Sequence, residues 1–175
     1  MKIFDAFKKK KEMRVISVFN QKGGVGKTTT VVNLASALGF NKKKVLVIDM
    51  DPQGNSTSGL GVEDQEITIY DVLTHEKEIN DTIIQTKSKN VDLIPANADL
   101  CGLEIELLNV DKKEYLLKEE LPKILENYDF IIIDCPPSLS VLSINSLVSS
   151  HSVLIPIQCE YYALEGVSQL MNTVN

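Results

Sequence analysis

At 175 residues, with 43% apolar and 24% charged positions, the chain has the make-up of one globular domain large enough for a layered core. No apolar run reaches the length of a bilayer span, which excludes an integral membrane body. The formal charge of −6 is unevenly placed: the first 12 residues hold five lysines against two acids, and the rest hold 13 basic against 22 acidic residues. An acidic body is a poor general nucleic-acid binder, so any such contact must be a local patch.

In Met1 to Glu12, Ile3, Phe4 and Phe7 fall on one helical face and Lys8 to Lys11 follow. That composition would suit a membrane of anionic lipid or another polyanion, but three apolar residues are little anchorage, which favours a solubilising leader before a domain starting at Met13. The apolar stretch is too short for a signal peptide. Cys101, Cys135 and Cys159 are odd in number without CxxC spacing, which points to reduced thiols in a cytoplasmic protein.

Val15 to Phe19 is a buried-strand pattern, and Thr29 to Leu38 has apolar helical spacing. Between them, residues 20 to 30 read Asn-Gln-Lys-Gly-Gly-Val-Gly-Lys-Thr-Thr-Thr. Strand, glycine turn and helix turn backbone N–H groups toward a phosphate chain. Gly23, Gly24 and Gly26 allow the backbone to close on an anion, Lys27 reaches the terminal phosphates, and the Thr28 hydroxyl binds Mg²⁺. The ordinary phosphate loop wants glycine where Gln21 stands, and a second lysine, Lys22, opens this one. Lys22 to Thr29 resembles the deviant Walker A motif of the ParA/MinD group of ATPases. The resemblance implies ATP as ligand, with Val25 and Thr29 in the nucleotide-binding set. It also implies a homodimer in which Lys22 crosses to the partner's nucleotide and assists catalysis beside Lys27.

Lys44 to Asp51 is a second buried strand, ending in two carboxylates where an open α/β sheet meets its ligand. One of Asp49 and Asp51 serves the metal shell and the other a water. Asp49 to Asn55 resembles the Asp-x-Asp-Pro-Gln-Gly-Asn run of ParA-like proteins, which assigns activation of the hydrolytic water to Asp51 and leaves Asp49 with the metal.

Farther on, Thr68 to Leu73 and Ile79 to Ile84 suggest short helices with Asp81 and Thr74 as caps, and Val91 to Pro95 a short strand. Asp99 to Leu108 has helical spacing with Leu100, Leu103, Leu107 and Leu108 on one face and Cys101 as filling. Lys112 to Tyr128 is a helix striped by Leu116, Leu117, Leu121, Ile124 and Leu125 and kinked at Pro122. Asp129 to Asp134 is a third strand ending in a carboxylate, a Walker B in which Asp134 holds Mg²⁺ through water. Cys135-Pro136-Pro137-Ser138 follows as a stiff turn, similar to the Asp-x-Pro-Pro-Ser of the ParA group, with Cys135 a small neutral spacer. Val141 to Ser149 fits a helix, Ser152 to Pro156 a fourth buried strand, and Gln158 opens a last helix.

Apolar strands alternating with helices imply α/β architecture: a P-loop three-layer α/β/α sandwich with a mostly parallel sheet. The domain is residues 13–175, behind a basic tail at 1–12. The ParA/Soj resemblance spans the domain and implies further C-terminal strands, carrying adenine and DNA contacts, that are missing before Asn175. It also implies a Mg²⁺-dependent ATP hydrolase of chromosome or plasmid partitioning. ATP-sandwich dimers would bind non-specific DNA on the nucleoid and be switched by a ParB-like protein. Three alternatives are a MinD-like membrane-cycling ATPase, an iron–sulfur carrier ATPase and a non-catalytic interaction fragment. The first needs a basic C-terminal amphipathic helix that Ser168 to Asn175 does not offer. The second needs paired cysteines in glycine loops.

Overall fold

In the computed structural model, residues 14–63 and 65–158 are described, with backbone alone at Glu104. The basic tail, Cys159 and the helix expected after Gln158 lie outside the described residues. Val45–Asp49 (β2) is buried at every position and Phe130–Asp134 (β5) at all but its first, as continuous aliphatic runs require when both faces are covered. They lie at the centre of a six-stranded sheet of the described residues, flanked by Arg14–Val18 (β1), Ile84–Gln85 (β3), Val91–Ile94 (β4) and Ser152–Leu154 (β6). The order is β3-β4-β2-β5-β1-β6, parallel except for the β3–β4 pair.

Side chains alternate between faces along each strand, which sorts the core into two layers. Val45, Val47 and Ile132 point to one face, where Val31 and Ala35 of helix Lys27–Phe40 (α1) and Leu60, just past helix Asn55–Gly59 (α2), cover them. Leu46, Ile48, Ile131 and Ile133 point to the other. There they meet Ile69–Leu73 (α3), Leu103–Glu106 (α4), Leu116–Glu120 (α5) and Val141–Val148 (α6). Asp49 and Asp134 continue the α1-side alternation, and the register pairs them directly, with Val18 on the far side of Asp134. The ends of β1, β2 and β5 are therefore level, and two carboxylates stand beside the loop that leaves β1.

Several local expectations change. Thr68 caps α3, its hydroxyl accepting the Tyr70 N–H while Asp71 accepts the Thr68 N–H at 2.7 Å. Thr74 closes that helix, and the 3-10 turn Ile79–Thr82 starts at Glu78 with no side-chain cap. The expected helix over 99–108 is a 3-10 turn at Ala98–Cys101, then α4, then a second 3-10 turn at Leu107–Asn109. Three residues per turn in place of 3.6 rotates the face. Leu100, Leu103 and Leu107 are buried while Leu108 is 64% exposed, and Cys101 is a surface thiol rather than core filling. Pro122 begins another 3-10 turn, Leu121–Lys123, that ends α5; most of the leucine stripe is buried. Asn145 of α6 fastens this region, accepting the Leu117 N–H at 3.1 Å and donating to the Lys113 carbonyl at 2.7 Å. β6 is half-buried at Val153 and Leu154, because it is an edge strand of the described sheet. No helix of the described residues is long and apolar enough to cross a membrane.

Gly39 marks the tightest approach of α1 to the sheet. A Cβ there would lie 2.2 Å from the Lys89 carbonyl oxygen, a backbone atom that has no rotamer by which to move away. Gly39→Ala improves helix propensity by about 1 kcal/mol. The clash should outweigh that gain, for a net loss of about 1–3 kcal/mol, read as a lower urea midpoint. A variant as stable as the parent would contradict this packing.

Candidate nucleotide-binding site

β1 runs into the loop through Phe19, and Asn20 then ties the turn on both sides. Its amide donates to the Pro156 carbonyl at 2.8 Å, and its Oδ1 accepts the Lys22 N–H at 3.0 Å. Gln158 closes the loop's rim, donating to the Gly24 carbonyl at 2.9 Å. Gly24 and Gly26 sit at φ +74° and +91°, a region side chains disfavour, while a Cβ on Gly23, Gly24 or Gly26 would meet nothing within 4 Å. The glycines therefore answer a backbone demand, and the space in front of them is open. Val25 turns inward and anchors the loop. Lys27 is buried, its ammonium 3.4 Å from the Lys22 carbonyl, at the positive end of the 14-residue α1. Thr28 is half-buried beside Asp134, and Thr29 is exposed one position farther along.

The loop forms one wall of a cleft of about 520 Å³, with Asp51, Gln53, Asn55 and Pro137 opposite. Lys22 is exposed and is not part of this lining. A larger hollow of about 880 Å³ lies beyond α2 and includes no residue of the loop.

The three carboxylates have different surroundings. Asp134 is fully buried; its Oδ2 accepts the Ser56 hydroxyl at 2.6 Å, while Oδ1 has no partner among the described residues. Burial, with the Asp51 charge, raises its pKa, opposed by the Ser56 hydrogen bond, the nearby Thr28 hydroxyl and the Lys27 charge. Asp51 is 8% exposed at the cleft wall, where its Oδ1 accepts the Gln53 N–H at 3.0 Å. Asp49, expected in the metal shell, lies outside the cleft lining as Asp134 does, but both of its oxygens already accept hydrogen bonds. Oδ1 takes the Asp51 N–H at 3.1 Å, and Oδ2 takes the Thr57 N–H and hydroxyl at 2.8 Å each. Burial, then the Asp134 charge, push its carboxyl up to about 7. The geometry makes Asp49 the organiser of the 51–57 turn.

This donor set fits a small hard cation. The orphaned Oδ1 of Asp134, the Thr28 hydroxyl and an adjacent open phosphate cradle suit an ion completed by phosphate and water, as Mg²⁺ is. Among the described residues no group of three or more His, Cys, Asp or Glu forms an all-protein cage. Cys135 is buried and its thiol is pushed up to about 12 by burial, so it is inert as a nucleophile near neutral pH.

Sequence reading missed Asn20, Ser56, Thr57 and Gln158. The available signal was position alone: Ser56 and Thr57 follow the Asp-Pro-Gln-Gly-Asn turn directly, where a helix start favours hydroxyl side chains.

Residues 13–175 match the AAA domain family AAA_31. Sporulation initiation inhibitor protein Soj of Bacillus subtilis is 55% identical over 163 residues, covering 92% of this chain and 64% of Soj. Cobyrinic acid a,c-diamide synthase from Mycobacterium smegmatis, solved with an ATP analog and magnesium, has TM-score 0.87 and 43% identity, covering 93% of this chain and 67% of that one. A plasmid partition protein from Borrelia burgdorferi has TM-score 0.84 and 36% identity, with 93% and 72% covered. The chain thus spans under two thirds of the length of Soj.

Thr57 also accepts the Ala96 N–H at 3.1 Å, so one hydroxyl joins β2, α2 and the end of β4. Thr57→Val keeps the shape and leaves a buried N–H and a carboxylate oxygen short of a partner. The expected loss is about 2 kcal/mol in urea unfolding, with Thr57→Ser recovering most of it. Equal stability of Val and Thr variants would mean the hydroxyl is not the joint.

Proposed function

The chain belongs to the AAA_31 family of AAA domains and is of the ParA/Soj type, and from that premise we propose that it is the phosphate-binding part of a Mg²⁺-dependent partitioning ATPase. One observation carries the reading. The open glycine cradle, the buried Lys27 and Thr28 line a single cleft, and the buried Asp134, whose Oδ1 lacks a partner among the described residues, interacts with Thr28 and Lys27 of that lining. The synthase among the similar structures is described with an ATP analog and magnesium, and Soj and the plasmid partition protein favour partitioning over synthesis.

In this reading residues 13–175 form the ATPase domain. Loop N–H groups and the α1 dipole hold the β- and γ-phosphates, and Lys27 neutralises their charge from within the fold. Thr28 and, through water, Asp134 would hold Mg²⁺, which when bound would supply positive charge to the phosphates. Asp51, fixed by the Gln53 N–H, orients the attacking water and takes its proton. Pro136 and Pro137 stiffen the segment after Asp134, so movement at the γ-phosphate passes to residue 138 and beyond. Lys22 stands outside the cleft of its own subunit, as a residue reaching a partner's nucleotide would. The functional unit is then an ATP-sandwich homodimer in the cytoplasm that binds DNA over the nucleoid and is released by a ParB-like protein.

Two loop lysines should fail in different ways. Lys27→Ala should weaken ATP binding by on the order of 100-fold, since the lost charge serves the bound phosphates directly. Lys22→Ala should leave monomer affinity within about threefold and abolish nucleotide-dependent dimers, read by titration and gel filtration. Equal loss of affinity in both would refute the role in trans.

Asp51→Ala should keep the ATP-bound state and slow hydrolysis on the order of 10²–10⁴-fold, because the cradle and Mg²⁺ ligands are untouched. Normal turnover would remove Asp51 from the mechanism.

A further inference from the structure

The backbone of Asp134 is fixed on both sides. Its carbonyl accepts the Met50 N–H at 2.9 Å, and the N–H of the next residue, Cys135, reaches the Val18 carbonyl at 3.3 Å. Register with Asp49 on β2 and Val18 on β1 completes the frame. None of these bonds sets the side chain. The last torsion of an aspartate is a broad, roughly two-fold well, so a carboxylate on a rigid strand can still turn its oxygens. A carboxylate that holds an ion through water needs that rotation fixed, because hydrogen bonds weaken steeply away from their preferred angles.

Ser56 supplies that constraint. Its hydroxyl donates to Asp134 Oδ2 at 2.6 Å, and both side chains are fully buried, so bulk water does not compete for the bond. Thr28 and Lys27 lie near the same carboxyl, but their polar groups are the ones that face the ion and the phosphates. Ser56 does not line the cleft. It is the second residue of α2, and Thr57, the third, anchors that helix elsewhere. The Thr57 hydroxyl donates to Asp49 Oδ2 at 2.8 Å and accepts the Ala96 N–H at 3.1 Å. The Leu60 N–H closes the turn on the Ser56 carbonyl at 3.0 Å. Thr57 thus ties α2 to β2 and to the end of β4, and from that anchored helix Ser56 reaches the carboxylate of β5.

We propose that Ser56 is a positioning residue for the metal site: its hydroxyl locks the rotation of the Asp134 carboxylate and so presents Oδ1, the oxygen without a partner among the described residues, to the water around Mg²⁺. The proposal rests on the Mg²⁺-dependent reading and adds to it a residue that acts only through Asp134. A packing role is the competing account, and stability does not separate the two. S56A leaves a buried carboxylate oxygen short of a donor, which lowers the urea midpoint on either account. Thr57 does separate them, because T57V takes an anchor from α2 without removing any hydrogen bond to Asp134.

The test is equilibrium titration of the full 175-residue chain with a non-hydrolysable ATP analogue, once in Mg²⁺ and once in excess EDTA. The ratio of the two affinities reads what the metal contributes, without any turnover. S56A should bind the analogue in EDTA as the parent does, since the loop and Lys27 are untouched. Its ratio should fall by about 10-fold, the lower end for an outer-shell partner, because Asp134 acts through water. T57V should keep the parent's ratio despite its lower stability. S56T, which restores the hydroxyl, should return the ratio toward the parent's. A parent-like ratio in S56A, or an equal fall in T57V, overturns the role of Ser56 and leaves the ATPase reading standing. So does an S56T variant as stable as the parent that keeps the S56A ratio. A parent that binds the analogue equally in Mg²⁺ and EDTA, or not at all, refutes the Mg²⁺-dependent reading and the proposal with it.

Discussion

Two buried carboxylates side by side at the ends of β2 and β5 are the constraint that organises this molecule. Asp49 and Asp134 are register partners, both fully buried, and both raised by the loss of water. Such a pair is costly unless donors surround it. The fold meets that need with α2, whose consecutive hydroxyls go to different acids: Ser56 to Asp134, Thr57 to Asp49. A five-residue helix thereby becomes a rigid part of the cleft wall.

The division of labour among the acids follows from this arrangement. With three hydrogen bonds of its own, Asp49 holds the turn that presents Asp51. Asp134 receives a donor on one oxygen only, its other oxygen having no partner among the described residues, and Thr28 and Lys27 lie near the carboxyl. Lys27 is the compensating charge, buried where a cation alone would be unfavourable and where the excess of carboxylates makes it favourable. The loop is likewise held from outside, by Asn20 and Gln158, so that its glycines adopt left-handed angles in open space.

A parallel sheet has two chemically different ends, and this chain uses them differently. Helix α1 points its positive end and its loop at the carboxylates. Its other end, with Gly39 pressed against the β3–β4 turn, gathers lysines from two segments more than 40 residues apart. Opposite charge patterns thus occupy opposite ends of the same strands.

The loop glycines, Lys22, Lys27 and the strand-terminal Asp49, Asp51 and Asp134 are legible in the sequence. Turn chemistry is local, and an aliphatic run ending in an acid states both the strand and its polar end. The three-layer sandwich follows from the same pattern, because strands apolar on both faces need helices on both sides. Local spacing does not separate α from 3-10 geometry, which is why Leu108 and Cys101 are exposed against expectation. Nor does it say which donor meets which acid. Ser56 and Asp134 are 78 positions apart, and Asn20 and Pro156 are 136 apart. Only the parallel pairing of β2 with β5 and of β1 with β6 brings those pairs within hydrogen-bonding reach. That register also sets Asp49, which accepts three hydrogen bonds, apart from Asp134, since a carboxylate's role depends on the donors around it and those come from elsewhere in the chain.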